Sequence, residues 1–276
     1  MTDRLEDIAR QLVAVDEIGE VVGALRAIAS GHVTAAQGAL AAMSAFEAQI
    51  RQAMLRLAAP PAQTAAPGAG IVLLIGAAQG FCGAYPQRLA QAGMDQAALG
   101  AGFIVIGART QAMLSEAGLD IVLAEDLPAT PAGVPRLASR ITDRIVDAAQ
   151  THPGPIIALC GGDQPGQPVQ VRRIWPPARD DAAAPVPLAD PPLTTLPHEA
   201  LVAGLLQETL FSAVARALME GLRAENMARV EAMARADGNL RTRRAELRQR
   251  FQQARQEAMT TELIELSMTG QADPPG

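Results

Sequence analysis

The sequence predicts an α/β fold in which a parallel-sheet domain is inserted between two long helices that wind on each other antiparallel as a coiled coil. Two proline-free blocks, residues 1–58 and 198–270, flank a block at residues 70–177 in which short apolar runs alternate with helical patterns. Proline-rich stretches separate the blocks, and both flanking blocks repeat apolar residues every seven positions. We therefore expect three segments with these boundaries.

The N-terminal block carries an apolar residue at every seventh position. This series is Ile8, Val15, Val22, Ala29, Ala36, Met43, Ile50 and Leu57. A companion series three residues further on is Ile18, Leu25, His32, Ala39, Phe46 and Ala53. Such a seam is typical of a coiled-coil helix, and we interpret His32 as a packed or register-setting residue rather than a metal ligand.

The C-terminal block repeats the seven-residue pattern. Its first series is Met233, Leu240, Leu247 and Ala254, and its second contains Val230, Phe251 and Ala258, with Asp237 and Arg244 as interruptions. A lone amphipathic helix of this length is not expected to be stable by itself, because tertiary packing supplies most helical stability. The two blocks are therefore predicted to pack on each other.

The middle block predicts a Rossmann-like parallel sheet. Strands are expected at residues 71–77, 103–108 and 155–160, because these short runs are continuously apolar. Helical patterns at residues 86–93, 110–118 and 134–150 lie between them, and the alternating segment 169–175 is a candidate edge strand.

Composition excludes several classes of function. All 23 basic residues are arginine, so a P-loop, a Schiff-base enzyme and a kinase phosphate anchor, each of which needs lysine, are excluded. The net charge of −6 disfavours a nucleic-acid partner, which requires a basic face. Aromatic residues make up only 3% of the chain, and an alanine-rich composition suits slender, closely packed helices.

Location is suggested by the terminus, the apolar runs and the cysteines. The acidic, polar N-terminus does not resemble a signal peptide, and no apolar run approaches the ~20 residues of a membrane span. Cys82 and Cys160 form neither a disulfide framework nor a metal cluster. We expect a reducing, cytoplasmic compartment and no membrane-spanning segment.

The glycine-rich run after the first predicted strand has two interpretations. Glycines from Gly76 to Gly83 are compatible with a phosphate cradle at a helix N-terminus. Their spacing is not that of a dinucleotide fingerprint, so a tight strand-to-helix turn is favoured. Cys82 is either a nucleophile beside that helix or, as we favour, a buried thiol, because no histidine lies nearby in the sequence.

Other polar groups give weaker signals. Gly161, Gly162 and Asp163 follow the third predicted strand and indicate a loop in which a ligand role is possible. The arginines of the C-terminal helix represent either a solvated face or a contact surface for a partner. Residue chemistry alone leaves these two readings of the helix open.

Three motifs resemble the gamma subunit of F-type ATP synthases. The segment from Arg255 to Leu266, RQEAMTTELIEL, resembles the family's C-terminal R-Q-x-x-I-T-x-E-x-x-E-I motif. The segment from Glu220 to Asn239 is similar to the family's E-N-L-A-S-E-x-x-A-R-M-x-A-M pattern, and residues 80–83, GFCG, to its G-L-C-G turn. The order of helix, α/β insert and helix also matches, so the resemblance covers nearly the whole chain.

The resemblance implies a rotary shaft that performs no bond chemistry itself. It implies contact with the alpha3-beta3 hexamer through Arg255, Gln256, Thr260 and Glu262. Contacts at the shoulder and foot are implied for Glu220, Glu225, Arg229 and Met233, with a foot turn at Gly80, Cys82 and Gly83. The implied partners are the alpha, beta and epsilon subunits and the c-ring, with no cofactor, no metal and no catalytic residue. The implied place is the F1 sector, peripheral at the cytoplasmic face of a bacterial inner membrane.

The chain also departs from the family pattern. The family's basic N-terminal run has lysines, whereas residues 21–32 here contain Arg26 and no lysine, and Leu25 stands where methionine is usual. These departures indicate a divergent gamma subunit, with an alternative F-type ATPase as one hypothesis. The competing functions are a nucleotide-binding enzyme on the α/β domain and a generic coiled-coil adaptor.

Overall fold

The computed structural model describes residues 2–57, 67–97, 100–162, 164, 166–177 and 193–270. Asp163 and most of both proline-rich stretches lie outside the described residues. The elements in chain order are α1 (Thr2–Arg56), β1 (Ile71–Ile75), α2 (Tyr85–Ala97), β2 (Gly102–Ile106), α3 (Ala108–Glu116), β3 (Ile121–Glu125), a 3-10 turn (Pro131–Gly133), α4 (Val134–Ala148), β4 (Ile156–Cys160), β5 (Gln170–Trp175) and α5 (His198–Gly270).

The chain divides into two compact units, which are described separately. The coiled-coil unit comprises Met1–Ile28 and Ala232–Gly276, and the sheet unit comprises Ala29–Glu231. Both predicted long helices are present, α1 with 55 residues and α5 with 73. Each helix contributes residues to both units.

The sheet unit is built on five strands in the order β3-β2-β1-β4-β5. Strands β1 to β4 are parallel, and β5 pairs antiparallel with β4. The predicted parallel sheet is therefore confirmed, and the alternating segment 169–175 does form the edge strand. Continuous apolar runs form the central strands because β1 and β2 are buried along their whole length.

The sequence prediction missed one strand, β3. This strand is the other edge of the sheet, and most of it is only half-buried, with Val122 exposed. Its apolar run is short, because IVLA ends at Glu125 and a proline-containing segment follows. Such a run is easily mistaken for the loop that joins two helices.

Alternate residues of β1 face two different cores, as the pleat of a strand requires. Ile71, Leu73 and Ile75 belong to the core formed with α4 and the first half of α5. Val72 and Leu74 belong to the core formed with α2 and α3. Helices therefore cover both faces of the sheet, and α5 serves as one of the covering helices.

Within the sheet unit α1 joins the same core as α5. Ala36 of α1 is fully buried there, with Ala39, Leu40 and Met43 packed around it. In α5, Gly221 lies against Ile75 with no room for a Cβ atom, which explains a glycine in the middle of a helix. These contacts bring the C-terminal helix directly onto the central strand β1.

The coiled-coil unit shows the antiparallel pairing of α1 and α5. Ile8 packs with Leu247 and Ala254. Arg4 of α1 lies 3.6 Å from Glu257 of α5, and Asp16 lies 2.8 Å from Arg244. Residue numbers in α1 increase along the pair while those of their partners in α5 decrease, so the pairing is antiparallel. These contacts define its register.

The heptad prediction is correct for one seam and only partly correct for its companion. Ile8, Val22, Ala29, Ala36 and Ile50 are buried, whereas Ile18 and Phe46 of the companion series are exposed by 52% and 40%. The other four residues of the companion series, Leu25, His32, Ala39 and Ala53, are half-buried. So are several residues that lie four positions after the first seam, namely Leu12, Gly19, Val33, Leu40, Glu47 and Met54. Apolar residues occur at both spacings, so the pattern alone did not distinguish them.

The expectation that no stretch approaches a membrane span is too strong. Helix α5 contains an 18-residue stretch with a mean hydropathy of 1.3, of which 33% is buried. By length and composition alone such a helix is apolar enough to cross a membrane. In this structure the apolar side chains of Leu210, Val214 and Leu218 of α5 are buried in the core of the sheet unit.

Candidate functional site

Glu225 and Arg229, which lie one turn apart on α5, form a buried ion pair. The Arg229 guanidinium donates from Nη2 to Oε1 of Glu225 over 2.6 Å, and the two side chains are 8% and 3% exposed. A second nitrogen, Nη1, donates to Oδ1 of Asn226 over 2.8 Å. Asn226 in turn donates to the carbonyl oxygen of Leu222. The charges are thus paired and hydrogen-bonded, as burial demands.

This ion pair also holds the turn that follows β1. The backbone amides of Ala78 and Gln79 donate to the Glu225 carboxylate over 3.4 and 3.0 Å. Arg229 donates from Nε to the carbonyl oxygen of Gly80 over 3.1 Å. The structure therefore brings Glu225 and Arg229 of α5 to the turn at residues 78–80, which lies 146 to 149 positions earlier in the sequence. Their role in contacting a partner remains a prediction.

The turn at residues 80–83 has an unusual backbone. Gly83 has a φ of +59°, and Phe81 has a φ of +62°. Glycine adopts this conformation freely, but a bulky residue rarely does. Phe81 is also 69% exposed. Sequence reasoning singled out the glycines and the cysteine and missed Phe81. The sequence shows only that a large apolar residue stands inside a glycine turn, and neither its exposure nor its backbone angle.

The geometry around Cys82 favours an inert thiol. Its side chain is 4% exposed, and Sγ donates to the carbonyl oxygen of Gln79 over 3.5 Å. Burial, and secondarily the Glu225 carboxylate, raises the pKa of this thiol above its ordinary value. A nucleophilic cysteine needs the opposite shift, so the interpretation as a buried thiol is the better supported of the two.

The phosphate-cradle hypothesis for the glycine run meets a competitor within the chain. In dinucleotide-binding folds the amides after the first strand hold a phosphate. Here the amides of Ala78 and Gln79 already donate to the Glu225 carboxylate. The anion at this edge of the sheet is therefore a side chain of α5.

The remaining shoulder and foot residues are Glu220 and Met233. Glu220 is 8% exposed, and its Oε1 lies 2.8 Å from Nη2 of Arg172 in β5 and 3.9 Å from Nη1 of Arg216. Met233 is 6% exposed and belongs to the coiled-coil unit. Glu220 thus faces the sheet's edge strand within the same chain.

The four predicted hexamer-contact residues are all exposed on α5. Arg255, Gln256, Thr260 and Glu262 present their side chains to solvent, and Thr260 Oγ1 donates to the carbonyl oxygen of Gln256 over 2.8 Å. Sequence reasoning missed the apolar residues beside them. These exposed residues are Met259, Leu263, Ile264 and Leu266, with exposures from 53% to 65%. Their signal was present in the same motif, as apolar residues beyond the last buried seam position.

Possible metal ligands were sought in the described part of the chain. No group of three histidine, cysteine or acidic residues there is arranged to hold a metal ion. His32 is half-buried on α1.

Comparison with protein families identifies the chain. A sequence model of a family described as ATP synthase matches residues 4–272, which includes both long helices and the whole sheet. The chain belongs to this family. It is a gamma-type subunit.

Solved structures show the same fold for this gamma-type subunit. A chain of the Euglena gracilis mitochondrial ATP synthase, in the OSCP/F1/c-ring assembly in rotational state 3, is 14% identical with a TM-score of 0.64, covering 99% of this chain and 95% of its own. A chain of the Euglena gracilis rotor in rotational state 1 is 14% identical with a TM-score of 0.60, covering 94% and 100%.

A third neighbour comes from another organism. A chain of the Tetrahymena thermophila mitochondrial central stalk and c-ring is 14% identical with a TM-score of 0.56, covering 78% of this chain and 99% of its own. A search of curated proteins with the gamma-type sequence finds no match.

Proposed function

We propose that this gamma-type subunit couples ion-driven rotation of a c-ring to conformational change in an alpha3-beta3 hexamer. The observation that carries the proposal is the family match over residues 4–272, since it includes the helices and the sheet together. The proposed partners are the alpha and beta subunits, the epsilon subunit and the c-ring. Neighbours of the same fold come from assemblies named for F1, the c-ring and the central stalk.

The proposed hexamer contact is the exposed C-terminal part of α5. Arg255, Gln256, Thr260 and Glu262 supply charge and hydrogen-bonding groups there. The exposed apolar residues from Met259 to Leu266 supply surface that gains free energy when it is covered. A helix that presents different faces to three beta subunits stabilises a different conformation in each, which is a coupling of contact to nucleotide affinity at a distance.

The proposed foot is the α/β segment at residues 70–177, flanked by helical segments at 1–58 and 198–270. It includes the turn at Gly80, Cys82 and Gly83. Hydrogen bonds from Ala78 and Gln79 to Glu225, and from Arg229 to Gly80, support grouping this turn with the two shoulder residues. That network fixes α5 on the sheet, so a turning force on the sheet reaches the helix through paired, buried groups.

The subunit is proposed to be non-catalytic and without a cofactor. The buried Cys82 thiol and the Glu225 carboxylate at the end of β1 both disfavour an enzyme on the sheet. We place it in the F1 sector, peripheral at the cytoplasmic face of a bacterial inner membrane. Its two free cysteines are compatible with a reducing compartment.

Co-expression with the cognate alpha and beta subunits tests the proposal. We expect one copy of the chain per hexamer, measured by native mass spectrometry. Replacing both Arg255 and Gln256 with Ala is expected to leave assembly intact and to lower ATPase turnover or coupling, because the contact is lost without loss of fold. An exposed pair on the same helix, Arg243 and Glu246, provides the matched control. Failure of the wild-type chain to join any hexamer would refute the proposal.

A further inference from the structure

A second polar cluster lies between α1 and α5 within the sheet unit. Arg216 donates from Nε to Oε1 of Glu47 over 2.7 Å and from Nη2 to Oε2 over 2.8 Å, a two-pronged contact. Nη2 also donates to Oγ of Ser44 over 2.9 Å, and Ser212 donates to Glu47 over 3.2 Å. The Arg216 and Glu47 side chains are only 14% and 27% exposed.

The same cluster reaches the edge of the sheet. Glu220 lies one turn after Arg216 on α5, and Arg172 of β5 approaches its carboxylate to 2.8 Å. Arg216 lies 3.9 Å from the same carboxylate oxygen. A single chain of alternating charges therefore joins α1, α5 and β5. The hydrogen bond with Glu47 also raises the pKa of Arg216, so this guanidinium stays charged.

Glu47 is an acidic residue at a half-buried position of α1, with Leu40 and Met54 seven positions before and after it. The neighbouring seam residues Ala36, Leu40 and Met43 pack in the shared core. Apolar seams tolerate a slip of seven residues, because each residue is replaced by another of the same kind. A polar residue at a seam position is the device by which coiled coils fix register.

A slip of one heptad would leave Arg216 without its carboxylate. The residues seven positions before and after Glu47 are Leu40 and Met54. Either would place an apolar side chain against the half-buried guanidinium, and the two-pronged contact would be lost. The cluster therefore discriminates between the native register and those that the apolar pattern alone permits.

We propose that Glu47, Arg216, Glu220 and Arg172 form a register lock that fixes α1 on α5 and ties both helices to the sheet's edge, so that torque from the sheet passes to the helix pair without slippage. This inference rests on the proposed function as a rotary shaft. It assigns positioning roles to Glu47, Arg216 and Arg172, which no motif singled out.

The test replaces the lock with apolar groups of similar size. In the variant Glu47→Met/Arg216→Leu the charges are removed together, and such replacements commonly preserve stability. The assembled, membrane-reconstituted complex is assayed for ATP hydrolysis and for ATP-driven ion pumping. We expect hydrolysis to be retained and the ratio of pumping to hydrolysis to fall by about fivefold, at the lower end of typical coupling factors.

A distance measurement reports register directly. Spin labels at the exposed positions Gln52 and Gln207, on α1 and α5, are compared by pulsed electron resonance in the complex. The wild-type lock predicts one distance distribution, and the double variant predicts a second population from a slip of about 10 Å along the helix axis. The matched control is Arg241→Leu, which removes an exposed ion pair with Asp237 on α5.

The outcomes separate the two proposals. A double variant with wild-type distances or a wild-type pumping ratio overturns the register lock while the shaft function stands. A wild-type complex that hydrolyses ATP without pumping ions, or that does not assemble, overturns the proposed function instead. A second distance population with a lowered ratio, absent from the Arg241→Leu control, supports the lock.

Discussion

The buried pair of Glu225 and Arg229 is the feature on which the turn after β1 depends. Truncating one member leaves the other charged and desolvated. We predict that Arg229→Ala lowers the free energy of unfolding of the sheet unit by about 3–5 kcal/mol. Urea unfolding, followed by circular dichroism, measures it. The control Arg243→Ala breaks an exposed pair with Glu246, and should cost less than about 0.5 kcal/mol. Equal losses in both variants would contradict the role assigned to the buried network.

The thiol of Cys82 offers a chemical test of the same region. Because burial raises its pKa, little thiolate exists at pH 8 and the sulfur is shielded from solvent. We predict that a maleimide reagent modifies Cys82 at least about a hundredfold more slowly in the folded chain than in urea, because the folded chain must first unfold locally to expose the sulfur. Peptide mass mapping against time measures the rate. Rapid modification of the folded chain would revive the nucleophile interpretation.

Tyr85 makes the stability of the sheet unit depend on alkaline pH. Burial raises the pKa of this phenol well above its ordinary value. In the unfolded chain the phenol ionises as the pH passes about 10, whereas the folded chain keeps its proton, so the folded state binds more protons. The contribution of Tyr85 to the free energy of unfolding is therefore fully present below pH about 10. It is lost as the pH rises towards and through the pKa of the folded state.

Replacing Tyr85 with Phe tests this sign. The buried hydroxyl has at most a weak contact with the backbone of Gly161 among the described residues, so its removal is expected to change the free energy of unfolding by no more than about 1 kcal/mol. Denaturant unfolding from pH 8 to 11 should show a shallower decline for Tyr85→Phe than for the wild type. A steeper decline would contradict the assigned shift.

At the residue scale, motif comparison found the participants but not their contacts. Glu225 and Arg229 were singled out as shoulder residues and Gly80 as part of a turn, as separate groups. Their hydrogen bonds join residues nearly 150 positions apart, and tertiary packing alone decides such contacts. Phe81 was missed because its positive φ is a property of the folded turn.

At the scale of elements, the sequence predicted the two long helices but did not predict fully which of their faces are buried. One heptad series identified the buried stripe of α1, because sevenfold recurrence survives over fifty residues. The companion stripe was assigned three residues on, yet Ile18 and Phe46 point to solvent. Period alone cannot decide between spacings of three and four when apolar residues occupy both. Arg244, which seemed to interrupt the C-terminal seam, pairs with Asp16.

Matched truncations on the two helices test the observed seam. Leu247 is 1% exposed in the coiled-coil unit, so Leu247→Ala should lower stability by about 2–5 kcal/mol through lost burial and a cavity. Ile18→Ala, at an exposed position in the same unit, should cost less than about 1 kcal/mol. Thermal unfolding by circular dichroism measures both. Similar losses would mean that Ile18 is buried, contrary to the observed seam.

The sheet shows which strands sequence patterns detect. Strands β1, β2 and β4 are central and almost wholly buried, and their continuous apolar runs predicted them. The edge strand β5 was found through alternation. Strand β3 is only partly buried, and it was missed although four of its five residues are apolar. Detection thus followed burial, which is the physical origin of the pattern.

At the scale of the whole molecule, the order of helix, sheet and helix was predictable from block composition. Proline-free blocks around an alternating block require two long helices that enclose an insert, and the family match over residues 4–272 agrees with that order. The lack of lysine leaves arginine as the basic group of every ion pair described on the two long helices. Register between the helices was not predictable, because it depends on individual polar pairs.

Rotation is the central claim, and it is observed most directly in a single assembled complex. A hexamer fixed to a surface carries the chain labelled at Ser115→Cys, an exposed position on α3, with a visible probe. The account predicts that ATP drives continuous turning of the probe in one direction, with the rate following ATP hydrolysis. A complex that contains the chain and hydrolyses ATP while the probe stays fixed, or turns equally in both directions, would contradict it.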